Sequence, residues 1–369
     1  MRARIIRFVA VFEAILMAGH WFVFKTWTGF HPGSHTSGVP GLALIVGFLS
    51  ITFVTASLLA WRSHALPVRL YYAAAATWLG FFNFFFLAAI ASWIAYGAAR
   101  LAHLPASQPL IASVAFGVAL LAGFVGFVNA MWIRVRRVAV KLPNLPPSWR
   151  GRVAALVTDT HLGHVRGASF ARRIVDRIAS LQPDLVLIAG DFYDGTDANV
   201  RKLAAPLSGL RAPHGAFYIA GNHEEFTDHA KYLDAVSAAG VRVLNNEKVV
   251  LDGLQLIGVH FRDAHRAESL RTVLQDAEID RNSASILLTH APDQPAVAAE
   301  AGISLQVNGH THGGQFFPFT YFTKRVYGAL TYGLNRLGRM LVYTSYGVGT
   351  WGPPFRLGTS PEIVLLQFE

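Results

Sequence analysis

Five short clusters of acids, amides and imidazoles lie between residues 159 and 312: Asp159-Thr160-His161, Gly190-Asp191-Phe192-Tyr193-Asp194, Gly221-Asn222-His223-Glu224, Thr289-His290 and Asn308-Gly309-His310-Thr311-His312. The chain has no cysteine, so disulfides, thiolate ligands and cysteine nucleophiles are excluded. Carboxylate, carboxamide and imidazole together suit manganese, iron, zinc or cobalt. Asp159 and His161 are spaced by one residue, as are His310 and His312. On an extended segment that spacing points both side chains to one face. A carboxylate can bridge two ions, and two metals about 3.5–4 Å apart can clamp the oxygens of a phosphoryl displacement. Alone, each cluster has an ordinary explanation, the aspartate as a turn and the histidine as a satisfied polar group. Five in succession point to a metal site.

The elements around the clusters explain how they could meet. Val153–Val157, Asp184–Ala189, Ala216–Ala220, Ser285–Leu288 and Ser304–Val307 read as short buried strands, each running directly into one cluster. Ala168–Leu181 and His229–Ala239 read as amphipathic helices, with others near Val200–Leu210 and Ala267–Asp276. Lys248–Leu251 and Leu254–Val259 read as a hairpin turning at Asp252-Gly253. Val241–Leu244, Met340–Thr344 and Glu362–Phe368 complete the strands. Alternating strand and helix indicates an α/β domain, and such sheets bind ligands beyond the carboxyl ends of their strands.

With these residues in hand, the segment from about 150 to 369 resembles the calcineurin-like metallophosphoesterases, all five motifs included. GHTHGGQ at 309–315 and GVGTWGPPFRLGTSPEI at 347–363 are similar to the membrane-associated bacterial YkuE/YaeI type. The resemblance implies a four-layer αββα sandwich and two divalent metal ions, manganese first, with iron, zinc or cobalt as alternatives. Carried over by motif, it gives Asp159, His161 and His312 to the first ion, Asn222, His290 and His310 to the second, and Asp191 to both. It makes His223 the catalytic histidine, oriented by Asp194.

Two departures bear on substrate. Protein phosphatases of the superfamily have Arg-Gly after Asp-x-x-Asp, whereas Gly195 and Thr196 stand here, which disfavours a phosphoprotein. Relatives often have Gly-Val-Asp-Asp after the hairpin, whereas this chain has Gly258-Val259-His260-Phe261-Arg262-Asp263. His260 and Arg262 are candidates for contact with substrate phosphate, or simply members of a polar surface loop. Phe316–Tyr327 (FFPFTYFTKRVY) reads as a packed hairpin, or as an aromatic and basic patch suited to a membrane interface or an acyl chain.

The first 152 residues have another character. They carry thirteen Lys/Arg and a single acid, Glu13, whereas residues 153–369 carry 19 basic and 21 acidic residues. Four apolar runs stand out, Phe8–Phe24, Pro40–Trp61, Tyr71–Tyr96 and Leu110–Ile133. A membrane-crossing helix needs about 20 such residues. The first run is the shortest, and a signal peptide competes for it. Trp21, Phe24, Lys25 and Trp27, rather than small residues, follow its core, which favours a retained helix. Arg2, Arg4, Arg7, Arg62, Arg69 and the basic residues after the fourth run fall on one side of four spans, and the positive-inside rule makes that side cytoplasmic. Glu13, His20 and Asn83 sit at membrane depth, either in interhelical hydrogen bonds or marking a path or pocket. The Phe81–Phe86 run reads as lipid-facing or helix-packing surface.

The expected architecture is a four-helix transmembrane unit at 1–137, a proline-rich linker at 138–150 and the metallophosphoesterase domain at 151–369, multi-pass in the cell (inner) membrane. The expected activity is hydrolysis of a phosphoester or pyrophosphate bond by a metal-bridging hydroxide, acting on a phosphorylated small molecule or lipid at the bilayer. Two alternatives are a sensor or transporter-like protein with an inactive domain and a nuclease of the same fold. No nucleic acid is expected, because a catalytic half with net charge −2 lacks the basic surface that phosphate backbones require.

Overall fold

The computed structural model describes residues 2–32, 39–195, 199–226 and 229–369. It divides into two compact units, Met1–Val128 with Gly352–Phe355, and Asn129–Trp351 with Arg356–Glu369.

The first unit holds four long helices, α1 (Arg2–Phe30), α2 (Val39–Ala60), α3 (Leu66–Leu101) and α4 (Gln108–Asn129), all long and apolar enough to cross a membrane. α1 and α3 extend well beyond the apolar runs because flanking polar residues continue the helix; Pro67 sits in the first turn of α3, where a missing N–H costs nothing. Small residues line the buried faces, Ala75, Ala76, Gly80, Ala88 and Ala89 on α3 and Ala112, Ala119, Gly123 and Gly126 on α4. They let helices approach closely where lipid offers no hydrophobic drive between them. His20 belongs to an interhelical bond: its Nε2 accepts from Trp78 Nε1 at 2.9 Å, and its ring stacks on Phe82 at 3.8 Å. The phenylalanine run packs between helices at Phe82 and Phe84, and Phe355 inserts its ring among Phe81, Phe84 and Phe127 at 5.2–6.0 Å.

The second unit is a two-sheet sandwich. Its strands are β1 (Arg134–Val140), β2 (Val153–Val157), β3 (Leu185–Ala189), β4 (Ala216–Ile219), β5 (Arg242–Val243), β6 (Glu247–Leu251), β7 (Leu254–Gly258), β8 (Ser285–Leu288), β9 (Leu305–Asn308), β10 (Gly333–Leu337), β11 (Met340–Thr344) and β12 (Glu362–Phe368). One sheet runs β1-β12-β2-β3-β4-β5 and the other β10-β11-β9-β8-β7-β6. β2 through β5 are mutually parallel, as are β7, β8, β9 and β11. Each parallel set therefore delivers its carboxyl ends to one edge. Leu156, Leu187, Ile219 and Leu366 from the first sheet meet Leu256, Ile286, Leu305 and Tyr343 from the second in one core between the sheets.

Helices cover both outer faces. α5 (Ala168–Leu181), α6 (Val200–Ala204) and α7 (His229–Ala238) pack on the first sheet through Phe170, Ile174, Leu203 and Tyr232. α8 (Phe261–Ala264), α9 (Ala267–Asp276) and α10 (Pro295–Ala301) pack on the second through Ala264, Leu270, Leu274 and Val297. The layers are thus α, β, β, α. The helix expected over Val200–Leu210 stops at Ala204 and continues as a tighter turn to Gly209, because Pro206 cannot donate and crowds the preceding turn.

Three sequence expectations are revised. β1 pairs along its whole length with β12, so residues 134–140, expected to end the membrane unit and begin the linker, are sheet. The compact boundary falls at Val128. Phe316–Tyr327 is no packed hairpin: Phe319–Tyr327 forms a helix, α11, with no buried residue, and the hairpin is β10–β11 beyond it. Its apolar residues follow no two-residue alternation, so nothing selects a strand.

Candidate metal centre

The five motifs meet at the carboxyl edge of the sandwich. β2, β3 and β4 bring Asp159, His161, Asp191, Asn222 and His223; β8 and β9 bring His290, His310 and His312. The convergence does not come from extended backbone. Asp159, His161, Asp191, His310 and His312 all have φ between 49° and 67°. Left-handed backbone at non-glycine residues costs about 1–3 kcal/mol each and persists where surroundings over-determine it. The sharp turns swing alternate side chains inward, so the one-residue spacing works for a different reason than a strand face. Two glycines are required by space: a Cβ on Gly221 would fall on the Asp191 carboxylate, and one on Gly309 would fall on Asp159 and Thr158.

Three ligand-type atoms gather at Asp159, His161 and His312, and three more at Asp191, His290 and His310, each set within 4.8 Å. His161 Nε2 lies 2.9 Å from His312 Nε2, which lies 3.3 Å from Asp159 Oδ1. In the second set His290 Nε2 lies 3.0 Å from Asn222 Oδ1, 3.1 Å from His310 Nδ1 and 3.2 Å from Asp191 Oδ2. Asp191 Oδ2 is also 3.8 Å from His161 Nε2, so this carboxylate stands between the sets. Its other oxygen accepts the His223 N–H at 2.9 Å.

Outer partners aim the ligands. His290 Nδ1 donates to Ala189 O at 2.8 Å, which leaves Nε2 for the site. Thr158 Oγ1 donates to Asp159 Oδ2 at 2.7 Å, leaving Oδ1 toward the histidines. The donor set fits divalent cations: imidazole nitrogens face one another across buried carboxylates, a packing that a shared positive ion resolves. Burial alone would raise Asp191, yet His290 holds it well below the usual carboxylate range. Burial also opposes charge on His290, but Asp191 outweighs it and pushes the ring up to about 10.

His223 is buried, with its Nε2 3.9 Å from Asp191 Oδ2. Asp194 lies 4.0 Å from His223 Nδ1 and only 3.5 Å from His161 Nδ1. It therefore stands between the two rings, within ion-pair distance of each. Burial pushes the Asp194 carboxyl up to about 7, against the pull of His223 and His164. Thr196, noted as a departure in sequence, lies outside the described residues.

His260 and Arg262 sit at the end of β7, beside the site, where Phe261 comes within 5.8 Å of the His290 ring. Both engage Glu225: His260 Nε2 at 3.0 Å from Oε1, and the Arg262 guanidinium against Oε2. Two further residues had no role assigned from sequence. Glu224, fully buried, accepts the N–H groups of Asp191, Tyr193 and Gly221 at 2.7–3.0 Å and so locks two motifs together. Arg356, also fully buried, donates to the carbonyls of His312, Tyr346 and Gly349 at 2.6–2.7 Å and approaches His312 Nδ1 at 2.9 Å. A glutamate beside a recognised motif residue could have been suspected; an arginine 44 residues past its histidine carries no local signal.

The geometry agrees with the comparisons. Residues 153–314 match the model of the calcineurin-like phosphoesterase family. The chain is 31% identical over 262 residues to an uncharacterized metallophosphoesterase of Aquifex aeolicus, covering 68% of this chain and 98% of that one. The chain belongs to the calcineurin-like metallophosphoesterases. This family member is also 30% identical over 257 residues to a transmembrane protein with metallophosphoesterase domain of Danio rerio, 64% of this chain and 58% of that one. It is 27% identical over 265 residues to the uncharacterized metallophosphoesterase YkuE of Bacillus subtilis, 67% and 89% of the two chains. The chain spans 58% to 63% of the length of several other bacterial relatives that it matches. With four helices fit to span a bilayer, this metallophosphoesterase is a membrane protein.

Proposed function

We propose that this metallophosphoesterase is a membrane-anchored hydrolase of phosphoester or pyrophosphate bonds that works with two divalent cations. The observation that carries the reading is the convergence of seven buried or half-buried ligand-type side chains into two sets sharing Asp191. Asp159, His161 and His312 would hold one cation and Asn222, His290 and His310 the other, with Asp191 shared between the sets. Such a pair supplies a nucleophile at neutral pH and stabilises the charge of an in-line displacement. His223, poised over the shared carboxylate, donates a proton to the departing oxygen. Asp194 keeps the His161 and His223 rings in place. His260 and Arg262 reach a substrate phosphate only by giving up Glu225, so we assign them to shaping the rim.

The retained ligand set argues against an inactive sensor, and the net charge argues against a nuclease. Gly195 where protein phosphatases carry arginine argues against phosphoproteins. The basic loops favour a cytoplasmic catalytic unit, and the membrane anchor favours a lipid-linked substrate. The test uses purified full chain with bis-p-nitrophenyl phosphate and a panel of phospholipids, lipid pyrophosphates and nucleotides. Hydrolysis that needs manganese or a related cation, and that stops with chelator, is expected. Absence of turnover on every substrate with every such cation sinks the reading. A reporter fused after Glu369 is expected to be active in a cytoplasm-only format.

A further inference from the structure

α11 and the hairpin after it carry a second message, independent of hydrolysis. None of the α11 residues is buried, and Phe317, Phe319, Tyr321, Phe322 and Val326 stand exposed, Val326 at 74%. Leu334 and Leu337 on β10 are exposed as well. Phe319, Phe322 and Val326 recur at the spacing of one helix face, and exposed apolar surface of this kind marks a contact site. The charge is as uneven as the hydropathy. From residue 301 to 361 there is no Asp or Glu, while Lys324, Arg325, Arg336, Arg339 and Arg356 fall in that stretch; the rest of residues 153–369 is markedly acidic. Four of these cations are exposed on α11 and the hairpin, beside the aromatics. Aromatic and aliphatic side chains bordered by Lys and Arg match an anionic lipid surface, where apolar groups enter the headgroup boundary and cations meet lipid phosphates.

Position within the unit agrees. The chain enters at Asn129 and starts β1 at Arg134, five residues later. At that entry Met131 and Trp132 are exposed, Trp132 at 70%, and Arg134 pairs in register with Glu362. Tyr332, which closes the segment following α11, bonds Glu362 at 2.9 Å and lies under the Arg136 guanidinium at 5.9 Å. The α11 segment thus belongs to the same end of this unit as the start of β1. The same segment borders the metal centre: Thr311 Oγ1 donates to Thr331 O at 2.8 Å, and the Tyr327 ring lies 6.2 Å from that of His310.

We infer that α11 and the β10 edge, led by Phe319, Phe322, Val326, Lys324 and Arg325, are a docking face for the anionic surface of a lipid bilayer. Docking there sets the mouth of the metal centre among lipid headgroups.

The natural absence of cysteine allows a direct test. Full chain carrying Val326→Cys is labelled with an environment-sensitive fluorophore and reconstituted into nanodiscs of phosphatidylglycerol and phosphatidylcholine, or of phosphatidylcholine alone. Ser180→Cys, at the end of α5 and so at the opposite edge of the sandwich, is the control. In anionic discs the label at 326 is expected to be quenched by tail-nitroxide lipids and shielded from iodide by at least about threefold relative to position 180. Lys324→Glu with Arg325→Glu is expected to remove that protection while hydrolysis of a soluble diester persists, which also shows that the variant is folded. Equal iodide access at both positions in anionic discs overturns the inference. So does excimer emission from pyrene at 326, which would show that a second copy of the chain covers the face. Neither result touches the hydrolytic reading, which stands or falls on turnover.

Discussion

The metal cage and its rim are built on opposite rules. In the cage, Asp159, His161, Asp191, His310 and His312 are held in left-handed backbone, Thr158 bonds the Asp159 carboxylate, Glu224 accepts the Asp191 backbone N–H, and Arg356 grips His312. On the rim, Phe226, Trp351, Tyr321 and Phe322 stand largely in solvent. The first arrangement costs backbone strain and removes freedom, as fits groups that must not move. The second keeps surface available for contact. On the proposed reading chemistry belongs to the cage and recognition to the rim, and substitutions in the two should differ in kind as well as in size.

The largest effect is expected at Asp191, the carboxylate that both sets share. Asp191→Ala is expected to lower turnover at least about 10³-fold and to reduce bound metal below two per chain. Elemental analysis of the purified variant checks it, and two tightly held ions in that variant would break the assignment. His223 separates catalysis from metal holding. His223→Ala is expected to keep both ions yet lose roughly 10²–10⁴ in rate, less with nitrophenolate, which leaves without a proton. Asp194→Asn is expected to be milder and, because Asp194 lies closer to His161, to weaken metal retention slightly as well. A metal loss that parallels the rate loss in His223→Ala would make that residue a ligand.

Much of the cage was legible because its parts follow strands: each buried run ends directly in a cluster, and parallel order brings the ends to one edge. The strand and helix alternation and the motif residues at the strand ends follow that logic, whereas the two-sheet sandwich came from the family resemblance. What was not legible depends on contacts distant in sequence or on backbone that no spacing rule describes. The Asp159-x-His161 face was expected from strand period, whereas left-handed turns produce it. Arg356 reaches His312 across 44 residues. α11 lacks both the two-residue alternation of a strand and a buried stripe, so its form could not be read from a face it does not bury.

Intermediate effects are expected from residues that touch the cage without entering it. Arg356→Lys keeps a charge but not the planar fork that spans three carbonyls and the His312 ring. Metal affinity is expected to fall about 10–100-fold, the usual range for outer partners of a ligand. Glu224→Gln retains bulk but replaces one acceptor oxygen with an N–H donor, facing backbone donors from Asp191, Tyr193 and Gly221. A comparable loss is expected, read by competition with a chelator of known strength. If either variant binds metal normally, the cage is more self-sufficient than its hydrogen bonds imply.

The smallest effect, and the one that bears most directly on the rim, is expected at Trp351. Its ring is 57% exposed and lies 6.2 Å from that of His223. Its backbone is held independently, since Trp351 N donates to Gln315 Oε1 at 3.0 Å and Gln315 Nε2 donates back to Trp351 O at 2.7 Å. Trp351→Ala therefore removes a contact surface without freeing the loop. An exposed aromatic in contact with a substrate's apolar part contributes on the order of 1 kcal/mol, which corresponds to a rise of about fivefold in KM with kcat nearly unchanged. The rise should appear with aryl or acyl-bearing phosphoesters and vanish with a small alkyl diester, because only the former offers the ring a partner. A fall in kcat for every substrate would instead mean that Trp351 supports His223, and the division between cage and rim would have to be drawn further out.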